Sequence, residues 1–217
     1  ASSSLGIEPQ NFTNEGIIRS LSATVNIRPF THFSNAATGS IIMTGGQLSI
    51  GNQVSTRTWN NAGLIQITNT NVFLGGTFTQ ANVGNLQRDS AQAGSIRING
   101  ILNGNVTVDA TTGPWQVSGG TVRNGTITVD PAVSFVVTSS STFDNTTLPA
   151  GSDVSVQSAV TITNGITLNG RLLLGTAVNF GTLRSSTTQT IAGSGQIVFN
   201  DKLNTIETSA GTLTVGA

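Results

Sequence analysis

The fold is decided by a phrase that first reads Phe12-Thr13-Asn14-Glu15-Gly16-Ile17-Ile18 and returns twice further along the chain. The later copies begin with Phe33-Ser34-Asn35 and with Trp59-Asn60-Asn61. Each copy places an aromatic residue and an asparagine before a glycine, and the glycines at 16, 39 and 63 are 23 and 24 residues apart. A fixed period of this length is typical of a solenoid, in which each repeat forms one coil stacked on the last.

Each repeat also contains a short strand with alternating side chains, such as Thr24-Val25-Asn26-Ile27 or Gln47-Leu48-Ser49-Ile50. A period of two places Val25 and Ile27 on one face of the strand and Asn26 on the other. We therefore expect the apolar residues inside the coil and the polar residues outside.

The repeat changes style near residue 90 and becomes a glycine followed by alternating apolar residues, as in Gly104-Asn105-Val106-Thr107-Val108 and Gly125-Thr126-Ile127-Thr128-Val129. Gly151 and Gly170 begin two further copies. A second series of residues recurs at nearly the same spacing, at Trp115, Phe135, Val160 and Phe180. Followed to Gly195, the glycines predict about nine coils of roughly 22 residues. We interpret residues 1–217 as a single β-solenoid domain and expect it to be a segment of a longer protein.

These patterns predict an all-β fold, a right-handed parallel β-helix. The alternative, a β-sandwich or barrel, needs antiparallel hairpins with tight turns between long strands, whereas the strands here are short. Asn-Gly pairs such as Asn124-Gly125 suit the corners of a coil, because both residue types tolerate positive φ. Stacking in register aligns like residues, which predicts a structural ladder of Asn14, Asn35, Asn61, Phe12, Phe33 and Trp59.

Composition excludes several classes of function. The formal net charge is zero and only 8% of residues are charged, which argues against nucleic acid and anionic membranes as partners, since both require a basic surface. The chain has no cysteine, so disulfides and thiol chemistry are excluded. No apolar run approaches the roughly 20 residues of a transmembrane helix, and we expect no membrane insertion.

Catalytic chemistry has few candidates. His32 is the single histidine and falls at a predicted corner. Because the chain has one histidine and no cysteine, metal sites built from several His or Cys ligands are excluded. Asp109 and Asp130 directly follow Val108 and Val129 at the same phase, which places them on adjacent coils. They could form a carboxylate pair for acid–base work or a Ca²⁺ site. Alternatively, each aspartate ends a strand and caps a turn. We favour the cap, and expect no catalytic residue, no bound metal and no cofactor.

Longer phrases resemble the repeats of very large secreted bacterial β-helix proteins, the filamentous haemagglutinins and autotransporter passenger domains. The resemblance is carried by Gly39-Ser40-Ile41, by residues 72–79 and 115–122, and by residues 162–170 and 190–199. It covers roughly residues 12 to 215. It implies an extracellular location, a β-helix, and a role in adhesion or in a cell-surface layer or filament.

The sequence therefore predicts a non-enzymatic extracellular segment of a large surface protein or filament, with a structural or adhesive role. The alternative is a carbohydrate-binding or carbohydrate-cleaving β-helix, similar to phage tailspikes or polysaccharide lyases. An uncapped solenoid exposes unpaired strand edges at its ends. The expected partners are therefore flanking repeats of the same protein or a second copy associating end to end, with surface glycans as further candidates.

Overall fold

The computed structural model describes residues 3–53, 56–89, 94–200 and 203–216. Within these residues the chain is an all-β parallel β-helix of about ten turns, so the predicted fold class is confirmed. The structure divides into two compact units, unit 1 (Ala1–Leu102) and unit 2 (Asn103–Ala217). The division between them falls a short distance after the predicted change of repeat style.

Unit 1 is built from short strands, each two to five residues long. In chain order they are β1 (Ser4–Ile7), β2 (Asn11–Asn14), β3 (Ile17–Ser20), β4 (Thr24–Ile27), β5 (His32–Asn35), β6 (Ser40–Thr44), β7 (Gln47–Ile50), β8 (Thr58–Asn61), β9 (Leu64–Thr68), β10 (Asn71–Leu74), β11 (Thr77–Phe78), a single helical turn α1 (Gln80–Val83), β12 (Asn85–Arg88), β13 (Ile96–Ile98) and, at the boundary, β14 (Ile101–Asn103).

The strands of unit 1 form three parallel sheets, and each coil contributes strands to them in turn. The first sheet has the order β1-β4-β7-β10-β13, the second β2-β5-β8-β11-β14, and the third β12-β9-β6-β3. Partners are in register, so Val25 lies beside Leu48 and Ile27 beside Ile50. These inward residues are buried. As predicted, alternation within short strands places the apolar residues in the core, but Asn26 and Ser49, which were expected outside, are also buried.

The repeated glycines mark a corner where successive coils come close together. Gly39 and Gly63 lie between the second and third sheets, and the Leu64 N–H donates to the Gly39 carbonyl at 3.0 Å. A Cβ added at Gly39 would overlap the Asn14 carbonyl oxygen, and one added at Gly63 would overlap the Gly39 carbonyl oxygen. At Gly16, in the first coil, a Cβ would meet open space. The period of this glycine therefore follows from backbone-to-backbone approach between coils.

Unit 2 contains three strands that are longer than any strand of unit 1. In chain order they are β15 (Val106–Val108), β16 (Trp115–Ser118), β17 (Thr121–Val129), β18 (Phe135–Ser139), β19 (Ser141–Leu148), β20 (Asp153–Val156), β21 (Ala159–Leu168), β22 (Arg171–Leu174), β23 (Thr182–Ser185), β24 (Gln189–Ala192), β25 (Gln196–Phe199), β26 (Thr205–Thr208) and β27 (Leu213–Val215). The first sheet of unit 2 has the order β16-β18-β20-β22-β25 and the second β17-β19-β21-β23-β26.

Three of these strands turn a corner without a loop. β17, β19 and β21 bend at Asn124, Asn145 and Asn164, whose φ values of 54°, 51° and 53° lie in the left-handed region. The residues before each bend belong to the second sheet of unit 2. The residues after it form a third face, where β17 pairs with β15 and β21 pairs with β24. Asparagine adopts this conformation more readily than most residues, so positive φ at the predicted corner residue Asn124 is confirmed.

The series of residues predicted for unit 2, from Trp115 to Phe180, combines residues of two different sheets. Trp115 does pair with Phe135, but Val160 lies on β21 of the second sheet, beside Leu183. Phe180 lies outside the strands and is exposed. The prediction was wrong at the long step between Phe135 and Val160, because several segments of one coil share the same pattern of glycine followed by alternating apolar residues. This slip also explains why about nine coils were predicted and about ten are present.

At one inward position of unit 2, a polar side chain is buried without a hydrogen-bond partner among the described residues. Thr146 is 3% exposed, lies beside Gly125 and Ile166, and its hydroxyl has no hydrogen-bond partner among the described residues. Burying a hydroxyl without a partner costs free energy.

Thr146→Val should therefore raise the free energy of unfolding by about 1 kcal/mol, measured by thermal or urea denaturation. Thr147→Val, on the outward side, is the matched control and should change it little. A destabilised Thr146→Val variant would contradict the prediction.

Candidate functional site

The most organised polar feature of unit 1 is a ladder of buried asparagines, formed by Asn14, Asn35 and Asn61 in register on β2, β5 and β8. The Asn14 Nδ2 donates to Asn35 Oδ1 at 2.7 Å, and the Asn35 Nδ2 donates to Asn61 Oδ1 at 2.7 Å. The Asn61 Nδ2 continues the ladder by donating to the Val83 carbonyl at 2.9 Å. All three asparagines are buried. The ladder therefore fastens successive coils together from within.

The three aromatic residues of the opening phrase occupy one inward column beside the asparagines. Phe12 and Phe33 stack with ring centroids 5.7 Å apart. Trp59 lies in register with Phe33, but its ring packs against Phe78 of the following coil at 5.0 Å. The indole N–H of Trp59 donates to the Gly75 carbonyl at 2.8 Å. These contacts fill the core of unit 1, where Phe33, Trp59 and Phe78 are buried.

His32 lies on β5, on the outward face of the second sheet of unit 1, rather than at the predicted corner. Its Nδ1 is 2.8 Å from Thr58 Oγ1 and its Nε2 is 2.9 Å from Asn60 Oδ1. Both partners belong to β8 of the next coil. The imidazole thus bridges two coils, and both of its nitrogens are occupied by structural contacts.

Asp109 and Asp130 directly follow Val108 and Val129, which are in register. The Asp109 carboxylate accepts from the backbone N–H groups of Thr111 and Thr112, both at 2.9 Å. The Asp130 carboxylate accepts from the Ala132 N–H at 2.8 Å. Each side chain caps the turn that follows its own strand, which is the interpretation favoured from the sequence.

The caps affect the acidity of one of these groups. The Thr112 backbone hydrogen bond, helped by that of Thr111, holds the pKa of Asp109 below its ordinary value. The carboxylate therefore stays ionised at neutral pH, and its contribution to the turn is lost only as the pH falls through this lowered pKa. A general acid needs a raised pKa, so the shift runs against an acid role for Asp109.

Unit 2 has a polar groove on its surface. Its volume is 490 Å³. It runs across adjacent coils and is lined by Pro131, Asp153, Asn169, Arg171, Ser194 and Gln196, with Gly151, Gly170 and Gly195. Arg171 lies in register with Asp153 on one side and with Gln196 on the other.

The centre of this groove is an ion pair. The Arg171 Nε donates to Asp153 Oδ1 at 2.8 Å, and an Nη2 contact completes a bidentate arrangement. Asp153 accordingly raises the pKa of Arg171 further above its ordinary value. Both side chains are substantially exposed, so they offer a guanidinium and a carboxylate to a ligand, along with the neighbouring amides. Pro131 lies at the groove, whereas Asp130 is absent from its lining.

Within the described ranges, no three His, Cys, Asp or Glu side chains come together as a group that could hold a metal ion. No helix in the part of the chain that the structure describes is both long and apolar enough to cross a membrane.

Comparison of the chain with protein-family models, with curated proteins and with solved structures found no match in any of the three.

Proposed function

We propose that this protein is a non-enzymatic, extracellular structural or adhesive β-helix segment of a larger surface protein or filament. The observation that carries the proposal is the buried ladder from Asn14 to Asn61, with its two amide–amide hydrogen bonds of 2.7 Å. Such a ladder joins neighbouring coils and does not face a cleft. The most specific side-chain contacts of unit 1 are thus devoted to holding coils together.

The arrangement of ionisable groups supports the same proposal. Asp109 and Asp130 cap turns, and Asp153 and Glu207 pair with the arginines that neighbour them in register. The fully paired backbone of a parallel β-solenoid opens rarely, since each strand is bonded to the coils on both sides. A stalk or filament exposed outside a cell needs that resistance to opening and to proteolysis.

The experiment is limited proteolysis of the folded protein combined with activity assays on polysaccharides. We expect thermolysin to leave the strands intact under native conditions and to cut them once the protein is unfolded in urea. We also expect no release of reducing ends or unsaturated products from a panel of bacterial and plant polysaccharides. Rapid native cleavage within the strands would contradict the structural role. Polysaccharide cleavage that disappears in Asp153→Asn would contradict the non-enzymatic role.

One observation favours a second candidate function, the binding of carbohydrate. The groove around Asp153 and Arg171 presents a carboxylate, a guanidinium and the amides of Asn169 and Gln196 along neighbouring coils. Planar groups of this kind form paired hydrogen bonds with the hydroxyls of a sugar. A glycan array would test the candidate. Arg171→Ala should weaken binding about tenfold or more, while Arg123→Ala, outside the groove lining, should not. Equal binding by both variants would remove the groove as the site.

A further inference from the structure

Two phenylalanines on the surface of unit 1 each carry a stacked guanidinium group. The Arg57 Cζ lies 5.2 Å from the centroid of the Phe30 ring, and the Arg97 Cζ lies 5.3 Å from that of Phe73. Each pair joins neighbouring coils: Phe73 and Arg97 are register partners on β10 and β13, while Phe30 lies before β5 and Arg57 before β8. A ring beneath a guanidinium attracts its charge and restricts its orientation.

The two guanidinium groups keep most of their hydrogen-bond donors for a ligand. An arginine side chain has five N–H donors. The Arg57 Nη1 donates to the Arg28 carbonyl at 3.0 Å, and the Arg97 Nε donates to Ser95 Oγ at 2.7 Å. Among the described residues their other N–H groups have no acceptor, and the ion pairs formed there lie in unit 2. Both groups are therefore positive charges without a carboxylate partner in the described ranges.

The exposure of Phe30 does not come from the start of the chain. Its backbone N–H donates to the Pro9 carbonyl of the preceding coil at 2.8 Å, and the Thr31 carbonyl accepts from the Thr58 N–H of the following coil at 3.2 Å. Coils thus lie on both sides of Phe30, and the residue is nevertheless 56% exposed because it projects outward between the first and second sheets. Adjoining coils at either end of the chain would leave it accessible.

The first sheet of unit 1 presents uncharged hydrogen-bonding groups beside these arginines. Thr24, Gln47 and Asn71 occupy one outward column in register and are partly exposed. Hydroxyl and amide groups suit the hydroxyls of a sugar. A guanidinium suits a carboxylate, with which it forms two parallel hydrogen bonds. The surface thus offers partners for both kinds of oxygen that an acidic polysaccharide carries.

We propose that the surface formed by Phe30, Arg57, Phe73 and Arg97 binds an acidic polysaccharide whose sugar units carry carboxylates. The inference deepens the proposed adhesive role and rests on it. Five arginines against three acidic residues give unit 1 a net charge of +2, and the acidic residue at the same corner, Glu8, lies two coils from Arg57. The two stacked arginines are also two coils apart, about 10 Å along the axis of unit 1. A polymer can therefore engage both guanidinium groups, whereas a single sugar engages one.

The experiment measures binding of polygalacturonate to the full chain by biolayer interferometry at low salt, with monomeric galacturonate as competitor. We expect binding that weakens with added salt, and a monomer that competes at least about a hundredfold less well. Arg57→Gln and Arg97→Gln should each weaken binding about tenfold. Phe73→Leu keeps the charge of Arg97 but removes its support, and should weaken binding about threefold. Arg19→Gln is the matched control, because it removes the same charge from an exposed position of β3 on the third sheet of unit 1. It should change binding by less than about twofold.

The remaining outcomes overturn the proposal. Absence of polygalacturonate binding at low salt would do so, and equal losses in Arg19→Gln and Arg57→Gln would indicate attraction by overall charge. Binding of single-stranded DNA as tight as that of polygalacturonate would indicate the same. Loss of binding in Arg171→Ala but not in Arg57→Gln would place the polymer at the groove of unit 2. Circular dichroism and melting temperature establish that each variant is folded. Resistance to thermolysin without polysaccharide binding would leave the structural role in place and remove only this site.

Discussion

Gly63→Ala is expected to destabilise unit 1 by about 3 kcal/mol, because the added methyl group meets backbone atoms that cannot move aside. The new Cβ would overlap the carbonyl oxygens of Gly39 and Ala36 and would lie 2.9 Å from the Asn35 Nδ2. Relief requires the coils to separate at the corner, which breaks the bond from the Leu64 N–H to the Gly39 carbonyl. Urea unfolding measures the change. In a Trp115→Phe background, the fluorescence of Trp59 reports unit 1.

The matched control is the same substitution at the first glycine of the series. Gly16 occupies the equivalent place in the opening phrase, but a Cβ there has no atom within 4 Å. Gly16→Ala should therefore change the free energy of unfolding by no more than about 0.5 kcal/mol. Equal effects at Gly16 and Gly63 would mean that the glycine serves local conformation and that the coils do not approach closely at this corner.

Asn35→Ala should cost about 3 kcal/mol, because it leaves polar groups on both neighbouring coils buried without partners. Asn35 is fully buried. It accepts from the Asn14 amide, and it donates to Asn61 at 2.7 Å and to the Leu64 carbonyl at 3.2 Å. Removing one member of a buried network costs more than one hydrogen bond, since the desolvated partners remain. The same urea titration measures the loss.

Ser34→Ala is the control for the ladder, since Ser34 is the neighbouring residue of β5 and faces outward. Its effect should be small. A double variant in which Asn14 and Asn35 are both alanine should cost less than the sum of the two single changes, because each single change already leaves the other amide unpaired. Additive costs would show that the two asparagines act independently and do not form a ladder.

The fold could be predicted because its cause is repeated along the sequence. The recurring glycine is required at 39 and 63 by close approach between coils, and alternation within strands such as β10 indicates which side chains are buried. The number of coils was harder to predict from the sequence. A coil of unit 2 carries similar patterns on more than one face, and one strand such as β17 serves two of them by bending at Asn124.

The sequence already places Asp153 and Arg171 at nearly the same phase, because Gly151 and Gly170 begin successive copies of the repeat. The structure adds the ion pair between them and the amides that line the groove beside it. Asp109 and Asp130 were easier to interpret, since an aspartate at the end of a strand caps the next turn by a local rule. To predict which side chains pair across two coils, the length of every corner between them must be known.

The asparagine ladder has a direction, since each amide donates toward the coil that follows it along the chain. A coil that carries this asparagine thus presents an acceptor to its predecessor and a donor to its successor. Gaining or losing one whole coil preserves every such bond, whereas a change of a few residues within the strand disrupts two of them. The ladder therefore makes the single coil the unit by which a protein of this kind can lengthen or shorten during evolution.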